Sequence, residues 1–226
     1  MTIIDRLAGG AGIGAGVYLL FLPGCVCDLW MPRVGGDVAP EDPSSVIAST
    51  LIANNGSRRI SAYLGLLAVF LLVIFFARLH GALRVASGPV SWMPTLTMAG
   101  GILLGGVLLI EAGIAFASSE LASYGGETQV VRLFVLWEWN SASLLAPPLA
   151  LALTGTTVVA FSSTAFPKWY RWSSLVLLGL LVLIAVVIRA PGLGLAPGML
   201  WVFLTSFVLI LRPNLAMREP LSRGTA

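Results

Sequence analysis

Six long apolar runs constrain this sequence of 226 residues more than any other feature. They cover residues 7–30, 60–77, 93–118, 133–161, 172–188 and 195–211. About 17–25 apolar residues in a helix cross the roughly 30 Å hydrocarbon layer of a bilayer, and a backbone in lipid must satisfy its own hydrogen bonds. The runs therefore predict an all-α fold, a polytopic transmembrane helical bundle of about six spans that forms one domain over residues 1–226.

The composition excludes several classes of protein. The chain is 58% hydrophobic and 10% charged, whereas soluble chains are about 45–50% apolar and 25% charged. The short connections leave no room for a soluble catalytic domain. The net charge of +3 comes from single basic residues at the ends of the runs, which is not the clustered pattern of a nucleic-acid partner. No Cys/His cluster is present, so we expect no metal and no other cofactor.

The distribution of Lys and Arg predicts the orientation, because positive charge collects on the cytoplasmic side of membrane helices. With both termini in the cytoplasm of a cell (inner) membrane, eight basic residues lie inside and five outside. The inner residues are Arg6, Arg78, Arg84, Lys168, Arg171, Arg212, Arg218 and Arg223, and the outer residues are Arg33, Arg58, Arg59, Arg132 and Arg189. Residues 212–226 then form a cytoplasmic tail.

A cleaved and lipidated N-terminus is an alternative for the first run. The segment LPGC at 22–25 has the leucine, small residue and cysteine of a lipoprotein cleavage site. Processing at Cys25 would leave five spans. A proline before the glycine is atypical of such sites.

The outer loop at 31–61 contains a predicted short helix. Asp42 is the expected N-cap, Pro43 the first helical residue, and Asn55-Gly56 the stop signal. Because Val46, Ile47, Leu51 and Ile52 are apolar, we expect an interfacial helix that caps the outer mouth of the bundle. A plain polar linker is the alternative.

The fourth run contains Pro147 and Pro148, which remove backbone donors and predict a kink or a break. A break would allow seven crossings. Hydroxyls of Thr154, Thr156 and Thr157 are the expected partners of the freed carbonyls.

Other side chains are predicted to lie at interfaces or in helix contacts. Gly101 and Gly105, four residues apart, predict close helix packing. His80 is expected to snorkel at the cytoplasmic interface, and Trp201 to lie in the core. The predicted aromatic belt consists of Trp30, Trp92, Trp169, Tyr170 and Trp172.

Two carboxyl groups inside the predicted spans are the candidate functional residues. An ionisable side chain there costs about 2.5–3.5 kcal/mol on insertion scales and needs a reason. Glu111 lies roughly 10 Å, and Glu138 roughly 8–9 Å, below the outer surface at about 1.5 Å per residue. Together with Trp137, Trp139, Asn140 and Ser141, they predict a polar notch that faces outward.

The chemistry of this notch has three possible interpretations. Two neighbouring carboxyls would repel when ionised, so one would hold a proton and could act as a general acid. The glutamates could instead contact a ligand, with Trp137 and Trp139 beside it. They could also be structural, with Glu138 paired to Arg132 or Arg189.

Two stretches resemble uncharacterised bacterial six-helix integral membrane proteins of the domain-of-unknown-function type. The first is EDPSSVIA at 41–48, which leads through NNG at 54–56 and RR at 58–59. The second is LWEWNSAS at 136–143, followed by FPKWYRW at 166–172. The resemblance implies six helices and no assigned activity, and Glu111 is not part of its pattern.

The sequence favours a non-enzymatic accessory protein that binds membrane lipid, a small lipophile or another membrane protein in the notch. One alternative is an intramembrane enzyme that acts on a lipophilic substrate by acid catalysis, as terpene cyclases do. A small transporter is the third possibility, although only the fourth helix has the broken pattern that transporters favour.

Overall fold

The computed structural model describes residues 42–87, 91–124, 128–188 and 191–211, and these residues are helical with short connections. We number the helices α1 to α6 in chain order. They are α1 (Ser44–Ala53), α2 (Asn55–Ser87), α3 (Met93–Ser123), α4 (Thr128–Ser162), α5 (Lys168–Leu183), which a π-helical turn (Ile184–Ile188) extends, and α6 (Pro191–Leu211). The all-α prediction is confirmed for this part of the chain.

Four helical segments are long and apolar enough to cross a membrane. They are Arg58–Ser87, Met93–Ser123, Leu144–Ser162 and Lys168–Val186. The sixth predicted run coincides with a shorter apolar helix, Ala196–Leu211. The first run, with Cys25, Cys27 and Trp30, lies outside the described residues. The described residues are thus all-helical, with four candidate membrane spans, which is compatible with a membrane protein.

Helix α1 forms where the outer loop was expected to contain a helix, but its ends differ in detail. Pro43 is the N-cap instead of Asp42, and no side chain caps the first turn. Asn55 is not a helix stop signal, because α2 begins at this residue. The turn between the helices is a single residue, Asn54, whose side-chain amide donates to the Thr50 carbonyl at 3.0 Å.

Neighbouring helices α3 and α4 run antiparallel, and contacts near the start of α3 indicate their register. Thr97 and Thr156 lie opposite each other, with hydroxyl oxygens 3.4 Å apart. Leu108 comes after Thr97 on α3 by as many residues as Leu145 comes before Thr156 on α4, so the two leucines fall at the same level. Both are buried in the main core. The same count brings Ala122 opposite Val131, and both belong to a second buried cluster.

The bundle therefore has two distinct ends. At one end of the bundle, α1 lies next to the start of α2, the start of α4 and the last residues of α3. We call this the α1 end. The other, where α2 and α4 finish and α3 and α5 begin, is the α5 end.

Two glycines let the backbones of α3 and α4 touch near the α5 end. A Cβ added to Gly100 would lie 2.6 Å from both the Ala152 nitrogen and the Pro148 carbonyl oxygen. One added to Gly155 would lie 2.6 Å from the Met93 carbonyl oxygen. Each helix thus contributes one glycine to the contact, and any larger residue would force the helices apart.

The main core lies between α2, α3, α4, α5 and α6. Trp201 of α6 is buried, as predicted, and its ring centre lies 6.4 Å from that of Phe75 and 6.3 Å from that of Phe76 on α2. A Cβ at Gly101 would collide with the Phe76 ring. The glycine of α3 therefore accommodates a phenylalanine of α2, as the small-residue spacing predicts.

The proline pair does not break α4, which continues through Pro147 and Pro148 to Ser162. The threonines also bond differently from the expectation. Thr154 donates to the Ala150 carbonyl at 2.7 Å, and Thr156 to the Ala152 carbonyl at 2.9 Å. These carbonyls lie beyond the prolines, since a proline frees the carbonyl four residues before it.

Two interface predictions were wrong. Tyr170 is fully buried and does not belong to the aromatic belt, because it lies on the side of α5 that packs inward. His80 does not snorkel freely, because its Nδ1 lies 2.9 Å from the Pro94 carbonyl oxygen and joins α2 to the start of α3. Trp92, Trp169 and Trp172 are exposed, as expected of belt residues.

Candidate functional site

The site that the sequence predicts is centred on Glu111, which lies inside the candidate span of α3. Residues at the same helical spacing, Leu104, Leu108 and Ser118, are buried. Glu111 is half-buried and its Oε2 atom is inaccessible to solvent. The structure therefore places one carboxyl oxygen of a membrane-spanning helix within the packed side of the bundle.

The second glutamate belongs to the helix that packs against α3. Residues 138–143 are part of the backbone of α4, and the side chains of Glu138, Trp139, Asn140 and Ser141 lie outside the described residues. Position 138 comes three residues after Val135 and seven before Leu145, which are both buried. The contacts of Thr97 with Thr156 and of Gly100 with Pro148 and Ala152 place position 138 at the level of residues 110–115 of α3, within about one helical turn of Glu111.

Trp137 is separated from Glu111 by its orientation. Its side chain is 41% exposed, and Leu133 and Leu136 on the same helix are exposed as well. The indole thus lies on the face of α4 that points away from the bundle, where lipid would surround it. The structure does not bring Trp137 and Glu111 to one surface.

Polar contacts at the α1 end join α2 to α3 above Glu111. Arg58 donates from Nη2 to the Ser118 hydroxyl at 2.9 Å, and that hydroxyl donates to the Ala115 carbonyl at 3.1 Å. Arg59 forms an ion pair with Glu120. The Arg59 guanidinium carbon also lies 5.9 Å from the centre of the Phe116 ring. These arginines link α2 to α3, the helix that carries Glu111.

Helix α1 covers the same end. Its buried residues Ile47 and Leu51 pack with Ala122 of α3 and with Val131 and Val135 of α4. Arg132 of α4 reaches the segment before the helix, where its Nη2 donates to the Asp42 carbonyl at 2.7 Å. Arg132 therefore joins α4 to the segment before α1. The Asp42 carbonyl thus occupies the guanidinium that was predicted to pair with Glu138. Arg189 lies outside the described residues.

Sequence reasoning missed a second polar cluster, which is buried between α5 and α6. The Tyr170 and Thr205 hydroxyl oxygens are 2.7 Å apart. Ser174 and Trp201 lie near the same Tyr170 hydroxyl, yet the Ser174 Oγ and Trp201 Nε1 atoms have no normal hydrogen bond to any described residue. A usable signal existed, because Tyr170 and Ser174, and likewise Trp201 and Thr205, are spaced four apart and so share a helix face.

The arrangement at the α1 end can recognise a polar group in an apolar setting. A carboxyl accepts hydrogen bonds when ionised and can donate one when protonated, and it interacts more strongly where water is excluded. Among the described residues no group of three His, Cys, Asp or Glu side chains could hold a metal ion. The site thus offers hydrogen bonding and charge, both supplied by Glu111.

Comparison of the chain with protein-family models, with curated proteins and with solved structures found no match. The resemblance to six-helix membrane proteins of unknown function therefore stays a prediction from the quoted motifs, and the α1 end must be interpreted from its own chemistry.

Proposed function

We propose that this protein binds a membrane lipid or a small lipophile at the α1 end, with the polar part of the ligand at the α3–α4 interface beside Glu111. The observation that carries the proposal is a carboxyl oxygen buried within a membrane-spanning helix. Such groups are costly in lipid and commonly mark a functional site.

The register of α3 and α4 supports a site with two carboxyl groups. The contacts between the two helices place position 138 within one turn of Glu111, which corresponds to at most about 6 Å along the helix axis. It also falls at the spacing of the buried residues Val135 and Leu145. We infer that Glu138 joins Glu111 in this interface, and that one of the two carboxyls holds a proton.

The covering helix supports binding from within the bilayer. Helix α1 closes the end of the bundle above the site through Ile47 and Leu51. Apolar side chains near the level of Glu111, including Leu109 and Ile110 of α3 and Leu144 of α4, remain exposed. A lipophile can therefore approach from the side, with its apolar part against α4 and its polar part toward α3.

The proposal includes the membrane topology. We place the α1 end outside and the α5 end in the cytoplasm of the inner membrane. Two further crossings, by residues 7–30 and by α6, complete six spans with both termini inside, and α1 then lies at the outer interface. The basic residues of the α5 end, Arg78, Arg84, Lys168 and Arg171, support this orientation.

Mass spectrometry of small molecules that co-purify in mild detergent tests the proposal. We expect a specific lipid or lipophile with the wild-type protein, and its loss with Glu111→Gln or Glu138→Gln at unchanged yield of folded protein. Glu120→Gln is the matched control, because Glu120 lies on the same helix but pairs with Arg59.

Each outcome has a definite meaning. Bulk phospholipid that is unchanged by either substitution would refute the proposed site. A specific lipophile retained in both variants would place binding elsewhere in the bundle. Chemical conversion of a prenylated lipophile by the wild-type protein, abolished in the variants, would favour the acid-catalysed enzyme over a binding protein.

A further inference from the structure

The α5 end of the bundle is positively charged, and it is distinct from the proposed site at the α1 end. Four cationic side chains belong to it: Arg78 and Arg84 of α2, and Lys168 and Arg171 of α5. Among the described residues of this end there is no aspartate or glutamate. Among the described residues, no carboxylate of this end thus lies beside the charges of Arg84, Lys168 and Arg171.

An exposed apolar stripe leads away from these cations along α5. It consists of Trp169, Trp172, Val176, Leu180 and Leu183, which are all exposed at a spacing of three or four residues. We call it the α5 stripe. It is about 21 Å long at 1.5 Å per residue, which exceeds the roughly 15 Å hydrocarbon depth of one bilayer leaflet.

The neighbouring helix forms one side of this surface. The Phe161 ring of α4 meets the Trp172 ring edge to face, with ring centres 5.5 Å apart. Phe161 and Val158 are themselves exposed. The α5 stripe is therefore flanked by a fixed aromatic contact next to its charged end.

Arg171 is held in place at that end. Its Nε and Nη2 atoms donate to the Phe166 carbonyl at 3.2 and 3.0 Å. Lys168, one turn from Trp172, is exposed. Lys168 and Arg171 are three residues apart, so the exposed ammonium group and the fixed guanidinium lie on the same side of α5.

We propose that the α5 end binds an anionic phospholipid, whose headgroup phosphate is held by Lys168 with Arg171 nearby and whose acyl chain lies along the α5 stripe. The charge selects this occupant, because cations at a membrane surface attract anionic lipid. A second copy of the chain packed side by side on this stripe would bring Lys168 near its equivalent, and like charges repel.

Thermal unfolding of the delipidated full-length protein tests the headgroup. We compare added phosphatidylglycerol with phosphatidylcholine of identical acyl chains. We expect phosphatidylglycerol to bind more tightly, and Lys168→Gln to weaken that preference about fivefold. Lys168→Arg keeps the charge and should retain the preference. Arg59→Gln removes the same charge from the α1 end and should retain it too.

Fluorescence tests the acyl chain. Phosphatidylglycerol with brominated chains quenches tryptophans that it contacts, and Trp172→Phe should remove part of that quenching, whereas Trp201→Phe should not, because Trp201 is buried.

Four results would overturn the proposal. They are equal binding of the two lipids, an unchanged preference in Lys168→Gln, an equal loss in Arg59→Gln, which would indicate an effect of net charge alone, and unchanged quenching in Trp172→Phe. A dimer in which Trp172 is protected from brominated lipid would assign the stripe to a second copy instead. None of these outcomes depends on Glu111, so the proposed function is tested separately.

Discussion

The hydroxyl of Tyr170 on α5 and that of Thr205 on α6 lie 2.7 Å apart in the interior of the bundle. Both residues are buried. The pair is a direct polar link between two helices that otherwise contact each other through apolar side chains such as Leu177 and Leu181 of α5 and Val202 of α6.

The first prediction concerns this pair. Tyr170→Phe and Thr205→Val should each lower the free energy of unfolding by about 1 kcal/mol, since hydrogen bonds between membrane helices contribute about 0.6–2 kcal/mol. Unfolding in mixed micelles, arranged as a double-mutant cycle, measures the coupling of the two. Ser174→Ala is the control, and we expect little change because Ser174 Oγ has no normal hydrogen bond to the described residues. A larger loss from Ser174→Ala than from Thr205→Val would show that Tyr170 bonds to Ser174 instead.

The second prediction concerns the contact between α3 and α4. Gly100→Ala should destabilise the protein by about 1–3 kcal/mol, because the added methyl group would lie 2.6 Å from backbone atoms of α4 that cannot rotate away. Gly106→Ala on the same helix is the matched control. No atom lies within 4 Å of its added Cβ, so the alanine should be neutral or stabilise by about 0.5–1 kcal/mol. Equal behaviour of the two variants would contradict the close backbone approach.

The third prediction concerns α1. Ile47→Ala should loosen this helix, because Ile47 is buried against α3 and α4 and such truncations cost about 2–5 kcal/mol. Hydrogen exchange of the Ser44–Ala53 amides should become faster without a change in α6. Val46→Ala, at the exposed neighbour, should leave exchange unchanged. If both substitutions are silent, α1 does not pack on the bundle as the structure shows.

The fourth prediction concerns orientation. In a variant whose Cys25 and Cys27 are replaced by serine, Tyr124→Cys should react with a membrane-impermeant reagent added to intact cells. Tyr124 is 83% exposed at the α1 end, which we place outside. Trp92→Cys is exposed at the α5 end and should react only after the membrane is opened. The reverse labelling pattern would show that the topology is inverted and that the basic residues of the α5 end lie outside.

The runs of apolar residues were sufficient to predict where most helices lie. The helices α2 and α3 contain the predicted runs at 60–77 and 93–118, and α5 together with its π-helical turn contains the run at 172–188. Hydropathy over many residues averages out local detail. The start of α2 could not be predicted in this way. Asn55 and Gly56 are turn-forming residues, yet they begin a helix here, as the chain needs only Asn54 to change direction after α1.

The direction in which single side chains point could not be predicted from composition. Tyr170 and Trp169 are adjacent and equally typical of an interface, but one is buried and the other exposed. Their separation depends on how α5 is rotated against α6, and a rotation is set by tertiary packing. The same limit applies to the candidate site, since the spacing of Trp137 and Glu138 was read without knowledge of which face α4 turns toward α3.

The close contacts that Gly100 and Gly155 each make with the backbone of the facing helix fix a pivot between two long helices. Where backbones touch, sliding is blocked, and the remaining relative motion is a rotation about that point. Glu111 is eleven residues from Gly100, about 16 Å along the axis. A scissoring of α3 against α4 by about 10° would displace the backbone there by about 3 Å while leaving the glycines almost stationary. The relative motion of α3 and α4 is therefore largest toward the end that α1 covers, and small movements of α1 would displace the Glu111 carboxyl.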